Sequence, residues 1–165
     1  MIFVTVGNAH DQSLRLLNGV EALAVSGFFG DEPVIAQSGN NPDFHPVRCE
    51  SRPFLGMDEF NETIKEARVV ICHAGAGTLS SVLRTGKTPV VVPRRLKYNE
   101  VVDDHQLELL EAFAERRLLV PAYEVEELPA AIREAEARPP VSAALTAEGM
   151  AKIGRAVKEL LHGKR

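Results

Sequence analysis

The chain has 165 residues, of which 45% are hydrophobic and 25% charged, and its net charge is −4. That length suits one domain with a full core, and that balance excludes disordered, collagen-like and disulfide-stapled chains. The acidic sum argues against a general nucleic-acid binder, and no apolar run approaches the ~20 residues of a membrane helix.

The predicted elements alternate along the chain. Residues 2–6 form a short apolar strand ending at Gly7, without the basic n-region of a signal peptide. Asp11 can cap a helix that runs to about Ser26 on a stripe of Leu14, Leu17, Val20 and Leu23. Gly27, Gly30 and Pro33 punctuate the chain before a strand at 33–37, and 38–42 carry loop chemistry. A further strand is expected at 47–51, then a helix marked by Met57, Phe60, Ile64 and Ala67. Residues 69–72 are the clearest buried strand. A glycine-rich turn and a helix with Leu79, Val82 and Leu83 follow, with Gly86 where a helix C-cap belongs. A strand at 88–92 ends at Pro93. The polar loop 94–103 leads into a helix bearing Leu107, Leu110 and Phe113. A short strand at 118–120, a helix around 125–137 and Pro139-Pro140 come next. A last amphipathic helix carries Ile153, Val157, Leu160 and Leu161.

Continuously apolar central strands alternating with helices predict an α/β fold: a Rossmann-like parallel sheet with helices on both faces. Residues 1–140 are expected to form the main domain and 141–165 a C-terminal amphipathic helix. The charge is divided the same way. Lys152, Arg155, Lys158, Lys164 and Arg165 stand against Glu159, so residues 152–165 sum to +4 and the rest of the chain to −8. Such a tail is either a solvated helix face or a docking element. Cys49 and Cys72 are too few for a disulfide framework and read as free thiols of a reducing cytoplasm, and no Cys/His spacing fits a zinc site.

In parallel sheets, ligands bind beyond the carboxyl ends of the strands. Three loops there carry suggestive residues. His73-Ala74-Gly75-Ala76-Gly77-Thr78 follows a strand and opens a helix, where free N–H groups attract phosphate. It lacks the Gly-Lys-Ser/Thr of a Walker loop, and Ser80 stands where a nicotinamide fingerprint needs its third glycine. Asp103-Asp104-His105-Gln106 suits a helix start, with Gln106 able to donate to and accept from sugar hydroxyls. Gly7-Asn8-Ala9-His10-Asp11 is a third strand-to-helix turn. Arg94, Arg95 and Lys97 follow a strand end and suit either a solvated loop or the neutralisation of a diphosphate or an anionic lipid head group.

Taken in order, these segments resemble the C-terminal, nucleotide-sugar-binding half of the GT-B glycosyltransferases of family 28. The similarity is greatest to the small Alg13 and PssE-type subunits. It rests on Met1–Gly7, Val34–Gly39, Cys72–Thr78, Gly86–Arg95 and Val102–Gln106, and covers about residues 1–120. The pairing of Pro93-Arg94-Arg95 with Asp103–Gln106 looks more like the bacterial PssE type. The resemblance implies a catalytic, UDP-sugar-binding subunit that passes a sugar, with inversion and without a metal or other cofactor, to a lipid-diphosphate-linked acceptor in bacterial exopolysaccharide or capsule synthesis. By the same resemblance Gly7 and Asn8 border the diphosphate. The turn at His73, Gly75, Ala76 and Gly77, with Thr78, lies at the phosphates, and Arg94 belongs to the same site. Phe54 and Leu55 match the segment along the uracil, and Asp104, His105 and Gln106 match the segment at the donor sugar. Ser81 stands where relatives often hold a ribose-binding glutamate, and Gly7-Asn8 replaces the usual Gly-Thr.

One domain leaves no room for the acceptor half of the two-domain relatives. The resemblance therefore implies an Alg14- or PssD-like membrane-anchored partner, and no nucleic acid. That partner would hold the chain at the inner, cytoplasmic face of the cell membrane, with the C-terminal helix as docking element. The attacking hydroxyl needs a base. His105 and the partner are the candidates. His73, between a buried strand and a glycine turn, suits a structural place. The alternative expectation is a nucleotide-sugar-binding module without catalysis of its own, and a third is a self-contained nucleotide-dependent enzyme.

Overall fold

The computed structural model describes residues 1–8, 13–102, 105–141 and 151. Among them is one six-stranded sheet in the order β3-β2-β1-β4-β5-β6, with every pairing parallel. The strands are β1 (Ile2–Thr5), β2 (Val34–Gln37), β3 (Glu50–Arg52), β4 (Val69–Cys72), β5 (Val90–Val91) and β6 (Val120–Pro121). The helices are α1 (Leu14–Val25), α2 (Met57–Glu66), α3 (Ala76–Arg84), α4 (His105–Glu115) and α5 (Leu128–Ala137). This is the doubly wound architecture expected from the alternation of elements.

The period-two side-chain geometry of β1 explains the layering. Ile2 and Val4 point to one face, where Leu16, Leu17 and Val20 of α1 and Leu128, Ala131 and Ile132 of α5 cover them. Phe3 points to the other face, with Ile35, Val70, Ile64 of α2 and Val82 of α3. Further along that face, Cys72, Leu79, Leu83 and Val91 meet Leu110 and Phe113 of α4. All four residues of β1, β2 and β4 are buried, as strands covered on both faces must be.

Several elements differ in detail from the sequence expectations. The stripe of α1 is turned: Leu16, Leu17, Val20 and Ala24 are buried, while Leu14 and Leu23 pack only partly. The strand expected at 47–51 is Glu50–Arg52, a polar sheet edge. Its approach is fixed by Glu21, whose carboxylate accepts the backbone N–H groups of Val47, Arg48 and Cys49 at 2.7–2.9 Å. The strands expected at 88–92 and 118–120 pair over two residues each. A 3-10 turn at Val125–Glu127 precedes α5, with Pro129 in the first turn where its missing N–H costs nothing. Gly86 closes α3 at φ +77. Both cysteines are free and buried, and burial pushes each thiol up to about 12. The expected cap at Asp11 and the C-terminal amphipathic helix lie outside the described residues, apart from Val141 and Ala151.

The chain reverses direction across the sheet between β1 and β4. From β1 it steps to β2 and β3, then returns to the other side of β1 and continues to β5 and β6. The loops leaving β1 and β4 therefore diverge and leave a crevice at their carboxyl ends.

Candidate functional site

A cavity of about 460 Å³ occupies that crevice. Gly7 and Asn8 from the β1 loop, Gln37 from β2, and Gly77 and Thr78 from the first turn of α3 line one part. Met57 and Phe60 of α2 and Ser80, Ser81 and Arg84 of α3 line the rest. Among the described residues the lining thus combines polar groups beside a helix start with the apolar Met57 and Phe60, and holds no carboxylate.

The polar part of the lining is built by a chain of hydrogen bonds. Buried Thr5 donates its hydroxyl to Gln37 Oε1 and accepts the Gly7 backbone N–H at 3.1 Å. Gln37 Nε2 donates to Asn8 Oδ1 at 2.7 Å. With Oδ1 engaged, Asn8 keeps its Nδ2 group as donor. Thr78 stands across from Gly7: a Cβ built on Gly7 would lie 3.9 Å from Thr78 Oγ1. The first turn of α3 has no acidic residue, and no side chain hydrogen-bonds as its cap. Its N–H groups and the positive end of its dipole are available to an anion.

The glycines of this turn also make room for His73. Its ring is buried behind the turn. A Cβ on Gly7, where φ is +69, would lie 3.0 Å from His73 Cε1. A Cβ on Gly75 would lie 2.4 Å from His73 Nε2. Burial first, and the charge of Arg94 second, lower the imidazole to about 3. His73 is therefore neutral at neutral pH and too weakly basic to take a proton from a hydroxyl. It is placed beneath the cavity rather than in its lining.

Arg94 is buried as well, with 4% exposure. Its Nε donates to Ser13 Oγ at 2.7 Å and its Nη2 to the Val6 carbonyl at 2.9 Å. These bonds tie the β5 end to the β1 end and to the start of α1. The Arg94 backbone N–H donates to Gln106 Oε1 at 3.1 Å, which leaves the Gln106 amide nitrogen as donor. The structure thus groups Gly7, Asn8, Gly77, Thr78 and Ser81 in one cavity. Ser81 accepts a hydrogen bond from Arg84 at 3.3 Å. Gly75 and Ala76 form the start of α3. Phe54 is 53% exposed on the loop before α2, and Leu55 is turned into the core beside Phe3 and Ile64. Asp104 lies outside the described residues, as does the side chain of His105.

Sequence reasoning missed Gln37, Met57, Phe60, Ser80 and Arg84 as cavity residues. Gln37 did leave a signal, since it is a polar side chain ending an apolar strand. Among the described residues no group of three or more His, Cys, Asp or Glu is placed to hold a metal ion, and no helix is long and apolar enough to cross a membrane.

The comparisons with known proteins agree with this architecture. The glycotransferase of kitacinnamycin superposes with a TM-score of 0.64 at 17% identity, covering 95% of this chain and 39% of that one. CalG4, the calicheamicin glycosyltransferase, gives 0.58 at 16% identity over 96% of this chain and 40% of its own. The glycosyltransferase VinC gives 0.57 at 19% identity over 97% of this chain and 40% of its own. These likenesses show a GT-B half-fold. In sequence, the chain is 41% identical over 68 residues to the UDP-N-acetylglucosamine transferase subunit ALG13 of Yarrowia lipolytica, which takes in 41% of this chain and 33% of that protein. It is 32% identical over 113 residues to the human subunit of the same name, taking in 66% of this chain and 10% of that protein. The chain thus matches a third or less of the length of these relatives. The model of the glycosyltransferase family 28 C-terminal domain matches residues 1–160, and the chain belongs to that family.

Proposed function

We propose that the chain is the catalytic, UDP-sugar-binding subunit of a two-component inverting glycosyltransferase. The acceptor is a lipid-diphosphate-linked sugar of bacterial exopolysaccharide or capsule synthesis. The observation that carries this reading is the cavity at the β1/β4 reversal. It brings an uncapped helix start, the oriented Asn8 amide and the Thr78 hydroxyl into one cavity with the apolar side chains of Met57 and Phe60. A diphosphate suits the donors and a pyrimidine the apolar side chains.

In the reaction an acceptor hydroxyl oxygen bonds to the anomeric carbon of the donor. The bond from that carbon to UDP breaks, and its electron pair goes to the β-phosphate oxygen. The N–H groups at the start of α3 and the Thr78 hydroxyl face that growing charge and stabilise it without a metal. The proton of the attacking hydroxyl goes to a base. His73 is excluded from that role by its burial and by its weak basicity, with its imidazole lowered to about 3. The base is His105 or a group of an Alg14- or PssD-like membrane-anchored partner. That partner holds the chain at the cytoplasmic face of the cell membrane.

The test is transfer from radiolabelled UDP-sugars by the chain reconstituted with its partner and lipid acceptor. Product formation from one donor supports the reading, and absence of transfer from every donor refutes it. The lack of a carboxylate among the described cavity residues, with Ser81 bonded to Arg84, favours a second reading: a nucleotide-sugar-binding module without catalysis. UDP binding by calorimetry with no transfer would select it.

A further inference from the structure

The loop after β5 is not used by the donor cavity, yet it is heavily built. Arg15, in the first turn of α1, donates to the Pro93 carbonyl at 2.7 Å and to both Glu100 oxygens at 3.0 and 2.9 Å. The Arg95 backbone N–H donates to the same carboxylate at 3.0 Å. Glu124, just after β6, stands among four partners. Lys97 is hydrogen-bonded to it, and the Tyr98 hydroxyl donates to it at 2.7 Å. The guanidinium groups of Arg15 and Arg95 approach it at 3.8 and 3.7 Å. The Tyr98 ring lies 4.5 Å from the Arg15 guanidinium and 4.6 Å from the Lys97 ammonium.

Among the described residues, three cations therefore share two carboxylates. Two buried guanidinium nitrogens, Arg15 Nη1 and Arg95 Nε, have no hydrogen-bond partner among the described residues. Both belong to the groups that face Glu124. A buried N–H without an acceptor is uncommon and costly. An anion with more oxygens than a carboxylate would satisfy both, and guanidinium groups match phosphate geometry well. The same loop exposes apolar side chains beside Lys97: Leu96, Tyr98 and Val102 are 47%, 42% and 93% exposed. Apolar and aromatic tips beside basic side chains suit the interface of an anionic membrane. β5 and β6 end at the same edge of the sheet as β1 and β4, so this cluster and the donor cavity both lie at the carboxyl edge.

We propose that Arg15, Arg95, Lys97 and the Leu96–Tyr98 turn form a receptor for a phosphate group carried by a membrane lipid, with Glu124 holding the place of that phosphate. The choice of a lipid as the source rests on the acceptor proposed above. The phosphate enters by displacing the Glu124 carboxylate, while Leu96 and Val102 enter the lipid surface.

The experiment is co-sedimentation of the whole chain with phosphatidylcholine vesicles, with and without phosphatidic acid, and UDP binding measured in parallel. The wild type is expected to pellet only with phosphatidic acid. Arg95→Gln should weaken that binding about fivefold, the effect of one basic residue at an anionic surface. Leu96→Ser should weaken it too. Glu124→Gln should strengthen it. Glu66→Gln, the same charge change at the end of α2 on the opposite side of the sheet, should leave it unchanged. Equal pelleting of wild type and Arg95→Gln, or equal gains from Glu124→Gln and Glu66→Gln, overturns the proposal. Binding of inorganic phosphate that Arg95→Gln weakens, without vesicle binding, overturns the lipid as source. UDP binding is expected to be unchanged in every variant, which also shows them folded. Failure of the wild type to bind UDP would refute the donor site and leave this receptor standing on its own result.

Discussion

Gly75→Ala isolates the reason for one glycine of the phosphate turn. The backbone there, at φ −83 and ψ 124, is open to any residue, so no backbone strain is involved. The added methyl would sit 2.4 Å from His73 Nε2, 3.1 Å from Cδ2 and 3.2 Å from Cε1. The ring is buried between Gly7 and Gly75 and has little room to give way. Overpacking of this kind costs about 1–3 kcal/mol. For a chain of this size that is a fall in Tm of roughly 2–4 °C per kcal/mol. Alanine is also a poorer N-cap than glycine, which adds roughly 0.5–1 kcal/mol that does not depend on the ring. A double-mutant cycle separates the two. In a His73→Ala background the steric part disappears, and Gly75→Ala should cost only the cap. Urea unfolding of the four proteins should show a coupling energy of about 1 kcal/mol or more. Equal costs of Gly75→Ala in both backgrounds would refute the claim that the imidazole dictates this glycine.

Gly77 has open space where its Cβ would be, and it lies inside a helix and lines the cavity. Gly77→Ala should therefore raise stability by about 0.5–1 kcal/mol while weakening UDP binding, measured by thermal melting and calorimetry. Arg94→Met removes the donors to Ser13 Oγ and the Val6 carbonyl, and urea unfolding should show a loss of about 3 kcal/mol. His73 stays neutral in the folded chain down to about 3, whereas the unfolded chain binds a proton below the ordinary histidine value of 6.5. The unfolded state thus gains protons across that window, and this group's contribution to stability falls as the pH falls from 6.5 towards 3. Urea unfolding at a series of pH values should show a shallower slope there for His73→Asn than for the wild type.

The sequence made the fold legible where burial dictated residue type. Val69–Cys72 can only be a strand covered on both faces, and the glycine turn after it places a helix start at the sheet end. Both follow from local chemistry. The edge strand Glu50–Arg52 was harder to place because a sheet edge needs no apolar pattern, and its anchor, Glu21, lies in a different element. The cavity was legible in its glycines, Asn8, Thr78 and Ser81, which sit at strand and helix ends. Met57 and Phe60 looked like core residues because helical spacing cannot show which way a helix end faces. Arg94 reads as a loop cation by position, but its bonds to Val6 and Ser13 come from elements 88 and 81 residues away. Such long-range partners leave no mark on local sequence.

The position of β1 has a consequence for synthesis on the ribosome. It precedes the other strands of the sheet in the chain, and its hydrogen-bonding neighbours are β2 and β4. One edge of Ile2–Thr5 therefore has no partner until residue 72 has emerged. An apolar strand exposed for that long is a target for aggregation and for holding chaperones. Beyond β4 the sheet gains only the two-residue pairings of β5 and β6, so the hazard lies mainly in the stretch from β1 to β4. Slow elongation through that stretch would lengthen the exposure, and slow elongation after it would not.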